Sequence, residues 1–530
     1  MAENRTKTTE GVLKAAGLLV VSNFLASILG YVRSIIISSY FGLGIENDAY
    51  VGAFTIPDFL YTLLVGGGIS AAFIPVFSAY IAEKNYKDAY RMGSSILNLV
   101  AICSIILCIV GEVFTPQLLS LIIDFSKGGE PFFTLTVKLT RIMFFQCFFM
   151  CLVGICMGIL QSYKDFLPPS IGSVVYNITI ITVGLILMKL GLGIAGFSIG
   201  VVCGAAIHLI IQLVSISKKG FEYQSVIDMK HEGVRRFLHL FWPMLLGVSV
   251  TQLNSIVNKY FGSSVGPSIL SAMQNAMSLM QLPINIFGYS IAMSVFPTMI
   301  EHYTQGNEEG YKADLSLGLR NVIFITLPAS VGLIALRVPL VRALYYQGNF
   351  TAENVNTLSM LILFYSIGIV GYCCRQVLLQ GFYSIQETAI PVRINIFILV
   401  FNVILSSIFV KLWEANGLAL AYSLAGIMSM CTLAFFLRRR VGQLHGKEVV
   451  ITFLKSLISA AAMFAVITAL IYVIEKYIPM ERKLYQLTEL GVLLIIGVSV
   501  YFLFTTILGM KEQRAIMGIL KRKLHIRKSE

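Results

Sequence analysis

Charge is scarce in this chain. Of 530 residues only 13% are Asp, Glu, Lys or Arg, while 57% are hydrophobic. Mean hydropathy is +0.80. A soluble protein of this size carries roughly a quarter charged residues, so the composition excludes an ordinary water-facing surface. The alternating pattern of a transmembrane β-barrel is missing too. The apolar stretches are instead continuous over about 20 residues, the length with which an α-helix crosses the hydrocarbon layer while satisfying its own backbone. Absent as well are a phosphate-cradling P-loop, an H-E-x-x-H pair and a nucleophile elbow. Nucleotide hydrolysis is therefore not expected, and no catalytic residue is assigned. The nine cysteines (Cys103, Cys108, Cys147, Cys151, Cys156, Cys203, Cys373, Cys374 and Cys431) fall inside apolar spans. They show neither loop-to-loop pairing nor compact metal-ligand spacing, so packing is their expected role, with no metal and no cofactor. The first apolar run lacks a small-residue cleavage pattern and is expected to be a retained helix.

What the sequence does have is a duplication. Tyr40-Phe41-Gly42 returns as Tyr260-Phe261-Gly262, Phe73-Ile74-Pro75 as Val295-Phe296-Pro297, and Ala195-Gly196-Phe197-Ser198-Ile199 as Leu420-Ala421-Tyr422-Ser423-Leu424. Gly158 and Pro168 are echoed by Gly381 and Pro391. The offset stays between about 220 and about 225, in register along its length. Twin apolar lobes with a site at their interface are a common plan of membrane transporters.

The expected fold is an all-α polytopic integral membrane protein of about fourteen transmembrane helices. Six spans per copy enter from the same face, so the two lobes are expected to be parallel repeats, with two C-terminal helices outside them. The corresponding domains are 1–220 (N-lobe), 221–236 (a polar, basic cytoplasmic linker), 237–440 (C-lobe), and 441–530 (helices 13 and 14 with a basic tail). Basic residues concentrate in the loops of one side, including Lys84, Lys87, Arg91, Lys218, Lys219, Lys230, Arg235, Arg236 and Arg438 to Arg440. By the positive-inside rule both termini are expected in the cytoplasm. The same distribution accounts for the net charge of +13, and no nucleic-acid partner is expected.

Charges inside the membrane are costly and face a cavity or a partner. Arg33 lies two turns before the end of the first span, Lys259 near the end of the seventh, and Arg375 within the tenth. These three are the candidate substrate-binding cations; the alternative for each is a structural pair with Asp48 or a backbone carbonyl. Asp48 is a fourth candidate and could equally cap the second helix. Asp58 lies deeper in that helix, and few other carboxylates lie within spans, so no dedicated cation site is evident. Arg141 and Arg320 lie near span ends, where snorkelling explains them. His208 reads as a satisfied packing residue. Gly66, Gly67 and Gly68 soften the second span and Pro283 the eighth, which suits a conformational hinge. A mainly cationic cavity favours an anionic ligand, and an Arg fork suits phosphate oxygens such as those of a diphosphate-linked lipid headgroup.

At these residues the chain resembles the MurJ/MviN lipid II flippase family, within the multidrug/oligosaccharidyl-lipid/polysaccharide exporter superfamily. The resemblance rests on Leu29-Gly30-Tyr31-Val32-Arg33, Asn47-Asp48-Ala49-Tyr50, Ala71-Ala72-Phe73-Ile74-Pro75, Leu246-Gly247-Val248-Ser249-Val250, and Gln380-Gly381-Phe382-Tyr383-Ser384. It implies fourteen helices, a cycle of inward-open and outward-open states and a central cationic cavity. It also implies a groove for the undecaprenyl tail along the last two helices. Arg33 and Asp48 match residues that the family needs. The implied substrate is undecaprenyl-diphosphate-linked peptidoglycan precursor, moved from inner to outer leaflet of a bacterial cytoplasmic membrane. The chain would act as a monomer within the lipid bilayer and beside the cell-wall synthesis machinery. The energy would come from an ion, the membrane potential, a partner or the substrate gradient. The chain departs from the family pattern at Ser27, Ser34, Tyr61, Thr62, Gly66 and Ser278, several of them positions where the family carries charge. Lys259 and Arg375 are expected to compensate. Alternative readings are a flippase for a capsule or exopolysaccharide unit, a cation-coupled drug exporter, and a scaffold for wall-synthesis enzymes.

Overall fold

A computed structural model describes Ser22 and residues 24–66, 72–477 and 482–514, apart from the side chains at 246, 247, 250 and 251. The described residues are almost entirely helical and include no strand. They divide into two compact units, Met1–Ser271 and Ala272–Glu530.

The first unit contains α1 (Phe24–Phe41), α2 (Ile45–Gly66), α3 (Ile74–Ala82), α4 (Tyr86–Ile122), α5 (Gly129–Ser162), α6 (Leu167–Leu192), α7 (Ala195–Lys218) and α8 (Glu232–Val265). It ends with the first turn of α9 (Ile269–Thr304). Helix α5 is its hub, packing against α2, α4 and α7. Small residues decide how closely α6 and α7 approach. A Cβ on Gly200 would sit 2.9 Å from the Ile180 carbonyl oxygen, and one on Gly204 2.9 Å from that of Tyr176. In lipid, where apolar side chains gain little by leaving their surroundings, such backbone proximity is what holds helices together. Residues 223–228 form an ordered strap along α4. The Gln224 amide donates to Ser94 Oγ at 3.0 Å, the Asp228 amide to Ser95 Oγ at 3.1 Å, and Asn98 Nδ2 to the Val226 carbonyl at 2.9 Å.

The second unit continues α9 and adds α10 (Glu308–Tyr345), α11 (Ala352–Ser366), α12 (Ile369–Ser384), α13 (Ala389–Val441), α14 (Gly446–Tyr477) and α15 (Lys483–Ile507). Helix α10 packs against α11, α12, α14 and α15. The 53-residue α13 leaves helical geometry at Trp413 and Glu414, where it breaks into two arms, 389–412 and 415–441. Gly417 makes that break tight, since a Cβ there would stand 2.1 Å from the Phe409 carbonyl oxygen.

Eleven described helices are long and apolar enough to cross a membrane, or twelve if the bent pair α11 and α12 is one span. The expectation was about fourteen. Two features account for the difference. The arms of α13 are counted there as one element, and α8, 34 residues long with an uncharged apolar stretch over 240–257, lies outside that count.

The duplication is written into the backbone. Left-handed φ angles occur at Lys84 and Gly306, at Lys164 and Gln386, and at Gly220 and Gly442. Asn85 and Asn307 cap α4 and α10 in the same way, each side chain accepting from an amide three residues on. A π-helical segment begins at Thr62 in α2 and at Ile284 in α9. All these pairs share an offset of about 222 residues. Ion pairs close corresponding helix ends, Lys219 with Asp165 at 2.7 Å and Arg440 with Glu387 at 3.1 Å.

All nine cysteines are free, and among the described residues no group of three metal-ligating side chains forms. Two expectations need correction. His208 is buried against Gly172, but neither ring nitrogen has a partner among the described residues. Arg320 does not snorkel; it pairs with Glu448 and, at 3.6 Å, with Glu512.

Candidate functional site

Three charged side chains from three helices lie within electrostatic reach of one another in the first unit. Helix α1 supplies Arg33, α2 supplies Asp58 and α8 supplies Lys259. The irregular course of α2 sets the acid in place. Its helix runs Ile45–Ala53, turns at Phe54, resumes over Thr55–Tyr61 with buried Pro57 in the first turn, and then widens into a π-helical turn, Thr62–Gly66. Proline cannot donate its share of the ladder, and π segments recur at functional positions of helices. The Thr62 hydroxyl donates to the Asp58 carbonyl oxygen at 2.7 Å, tying the π turn back to the acid's own backbone.

Lys259 Nζ donates to Thr55 Oγ1 at 3.0 Å, one turn before Asp58. The Asp58 carboxylate feels the charge of Lys259 most and that of Arg33 next. Arg33 also acts on the hydroxyls of Tyr50 and Tyr176. Asp58 is exposed, whereas Arg33 and Lys259 are half-buried. Charges in apolar helices usually face a cavity or a partner. With two cations to one anion, the group carries an excess positive charge. Asp58 lets Arg33 and Lys259 share a small region without full mutual repulsion. The set can receive an oxyanion in two ways, through the planar fork of Arg33 and through the mobile point charge of Lys259.

The other candidate residues are placed as follows. Asp48 is buried, and its Oδ1 accepts from the Ser271 amide at 2.8 Å and the Ser271 hydroxyl at 2.5 Å. It therefore caps the first turn of α9 rather than its own helix, and its charge is satisfied by these donors. Arg375 belongs to the second unit, where Nη2 donates to Asn395 Oδ1 at 3.0 Å and Tyr372 and Tyr422 feel its charge. Gly66 ends the π turn of α2, while Gly67 and Gly68 lie outside the described residues. Pro283 directly precedes the π segment Ile284–Tyr289 of α9. Within that segment Gly288 packs on α12, where a Cβ would meet Cys373 Sγ at 2.9 Å.

Sequence reasoning passed over Asp58 as a member of the site. A signal was available, because Asp58 is a carboxylate within an apolar span and two cations in neighbouring spans needed a counter-charge. Nothing in the pattern pointed to Thr55 or to Asn395.

A family model described as lipid II flippase MurJ matches residues 37–488. The chain belongs to that family. Among its relatives, a probable lipid II flippase MurJ of Vibrio cholerae is 28% identical over 430 residues, which is 80% of this chain and 82% of the relative. The lipid II flippase MurJ of Burkholderia cenocepacia is 27% identical over 430 residues, covering 80% and 83%. Among solved structures, a lipid II flippase MurJ in an inward-closed conformation superposes with a TM-score of 0.78 at 27% identity, over 93% of this chain and 98% of that one. An inward-facing multidrug resistance MATE family transporter of the MOP superfamily gives 0.68 at 17% identity, over 79% and 96%, and shares the fold alone. The chain is thus a multi-pass membrane protein with the MurJ fold.

Proposed function

We propose that this chain is a lipid II flippase. It carries the undecaprenyl-diphosphate-linked peptidoglycan precursor from the inner to the outer leaflet of a bacterial cytoplasmic membrane by alternating access. The observation that carries this reading is that Arg33 and Lys259 lie within electrostatic reach of exposed Asp58, in a chain matched by the MurJ family model over residues 37–488. A diphosphate needs cationic donors, and its translocation needs a site that releases it again; a carboxylate between two cations supplies a resident competitor for them.

In this reading the lobes divide at the linker 221–236, both termini are cytoplasmic, and the protein acts as a monomer beside the wall-synthesis enzymes. Arg375, held by Asn395 in the second unit, is a separate candidate substrate contact. Asp48 serves the site by fixing the start of α9, and the π segments after Pro283 and ending at Gly66 are the places where α9 and α2 bend. Their recurrence in both repeats supports a paired motion.

One observation favours a second substrate, another lipid-linked saccharide. Ser34 and Ser278 stand where the family pattern, as the sequence resemblance gives it, has charge. The test is growth complementation of a cell depleted of its own lipid II flippase. The wild-type chain should restore growth, and Arg33→Ala, Lys259→Ala and Arg375→Ala should fail at equal protein level. Failure of the wild type to support growth, with the protein present in the membrane, would move the assignment to the other saccharide.

A further inference from the structure

The two arms of α13 enclose a second basic feature, confined to the second unit. A cleft of about 840 Å³ is floored by Ile390, Ile394 and Phe397 of the first arm and by Met428 and Phe436 of the second, and rimmed by Arg393, Arg439 and Arg440. Its lining lies some twenty residues from the turn at Trp413 and Glu414 along each arm, which is about 30 Å of helix, or one hydrocarbon thickness. The cleft therefore opens at the membrane surface opposite that turn.

The three arginines differ in what already holds them. Arg440 is paired with Glu387 at 3.1 Å. The guanidinium of Arg439 rests on the Phe435 ring, 4.4 Å from its centroid, with no acid beside it among the described residues. Arg393 is exposed and makes no hydrogen bond or ion pair among the described residues. The fold does not require these last two cations. At the duplicate positions of the first repeat stand Ile171 and Ser217, and the end of that helix pair is closed by the Lys219–Asp165 pair.

We propose that Arg393 and Arg439 hold the phosphodiester of an anionic glycerophospholipid whose acyl chains lie on the apolar floor. Charge complementarity selects the phosphate, and the floor selects a lipid over a soluble anion, which would gain nothing from Phe397 and Phe436. The cleft is thus a lipid-binding site separate in sequence from Arg33, Asp58 and Lys259.

The experiment is native mass spectrometry of the full-length protein in neutral detergent, titrated with phosphatidylglycerol or phosphatidylcholine of identical chains. The wild type should bind phosphatidylglycerol about tenfold more tightly. The double variant Arg393→Gln/Arg439→Gln should lose that preference. Arg393→Lys/Arg439→Lys, which keeps both charges and tests for mere misfolding, should retain most of it. Inorganic phosphate at millimolar concentration should leave the bound lipid in place. Equal binding of the two lipids by the wild type would overturn the proposal, as would an undiminished preference in the Gln pair or displacement of lipid by phosphate.

Discussion

Asp58 and Asp48 sit ten residues apart in α2 and do different work. Asp58 is accessible and lies among cations, so replacing it with Asn removes the competitor for Arg33 and Lys259. A Coulomb interaction of roughly 1–2 kcal/mol at an intermediate dielectric corresponds to about a tenfold change in affinity. Asp58→Asn is therefore expected to bind a diphosphate lipid about tenfold more tightly and to turn over more slowly. Titration of purified protein with undecaprenyl diphosphate checks the first part and a transport assay the second. Asp48 is buried with two donors on one oxygen. Asp48→Ala leaves the Ser271 amide and hydroxyl unmet, at a cost of about 2–4 kcal/mol. The expected readout is a lower melting temperature in detergent, with Asp48→Asn intermediate. The sequence made both acids visible as charges in an apolar span, yet could not sort them. The partner of one is about two hundred residues away, and only folding brings it near.

Helix packing follows from where glycine removes bulk, and the cost of restoring that bulk depends on what lies opposite. At Gly200 the neighbours are the backbone of Ile180 and Gly184, which cannot rotate away. Gly200→Ala is expected to destabilise the α6–α7 pair by about 1–3 kcal/mol, seen as a smaller monodisperse fraction on size-exclusion chromatography. The strap over α4 gives a pH test. Partial desolvation opposes ionisation of Asp228, but the Lys230 and His231 amides and the Arg91 guanidinium outweigh it and hold the carboxyl below its usual range. A carboxylate with a depressed value stabilises its folded contacts at neutral pH. That contribution is lost as pH falls through the usual carboxylate range toward the lowered value. Hydrogen exchange of residues 223–231 should accelerate over that interval, and Asp228→Asn should bring the faster exchange to neutral pH. The strap was legible in sequence only as a polar basic stretch, since its hydrogen bonds are made by backbone groups that composition does not mark. Gly66 and Pro283 were legible as glycine and proline within apolar spans, whereas the π geometry beside each was not.

At the scale of the whole chain, the duplication was the most readable feature because it constrains sequence and backbone alike. Short motifs gave an offset of about 220 to 225, and the turns, caps and π segments hold it near 222. Apolar length alone does not mark a break such as Trp413–Glu414, which divides one long helix into two arms. The site was half legible. Arg33 and Lys259 stood out as intramembrane cations, but the acid that joins them was not weighed with them. If Arg33 and Lys259 carry a diphosphate lipid across the membrane, removing both must stop its externalisation. In cells depleted of other flippases, the fraction of lipid II cleaved by a hydrolase confined to the outside reports externalisation. Wild-type protein should restore that fraction, and Arg33→Ala/Lys259→Ala, present in the membrane at the same level, should reduce it at least tenfold. Full externalisation by the double variant would contradict the account.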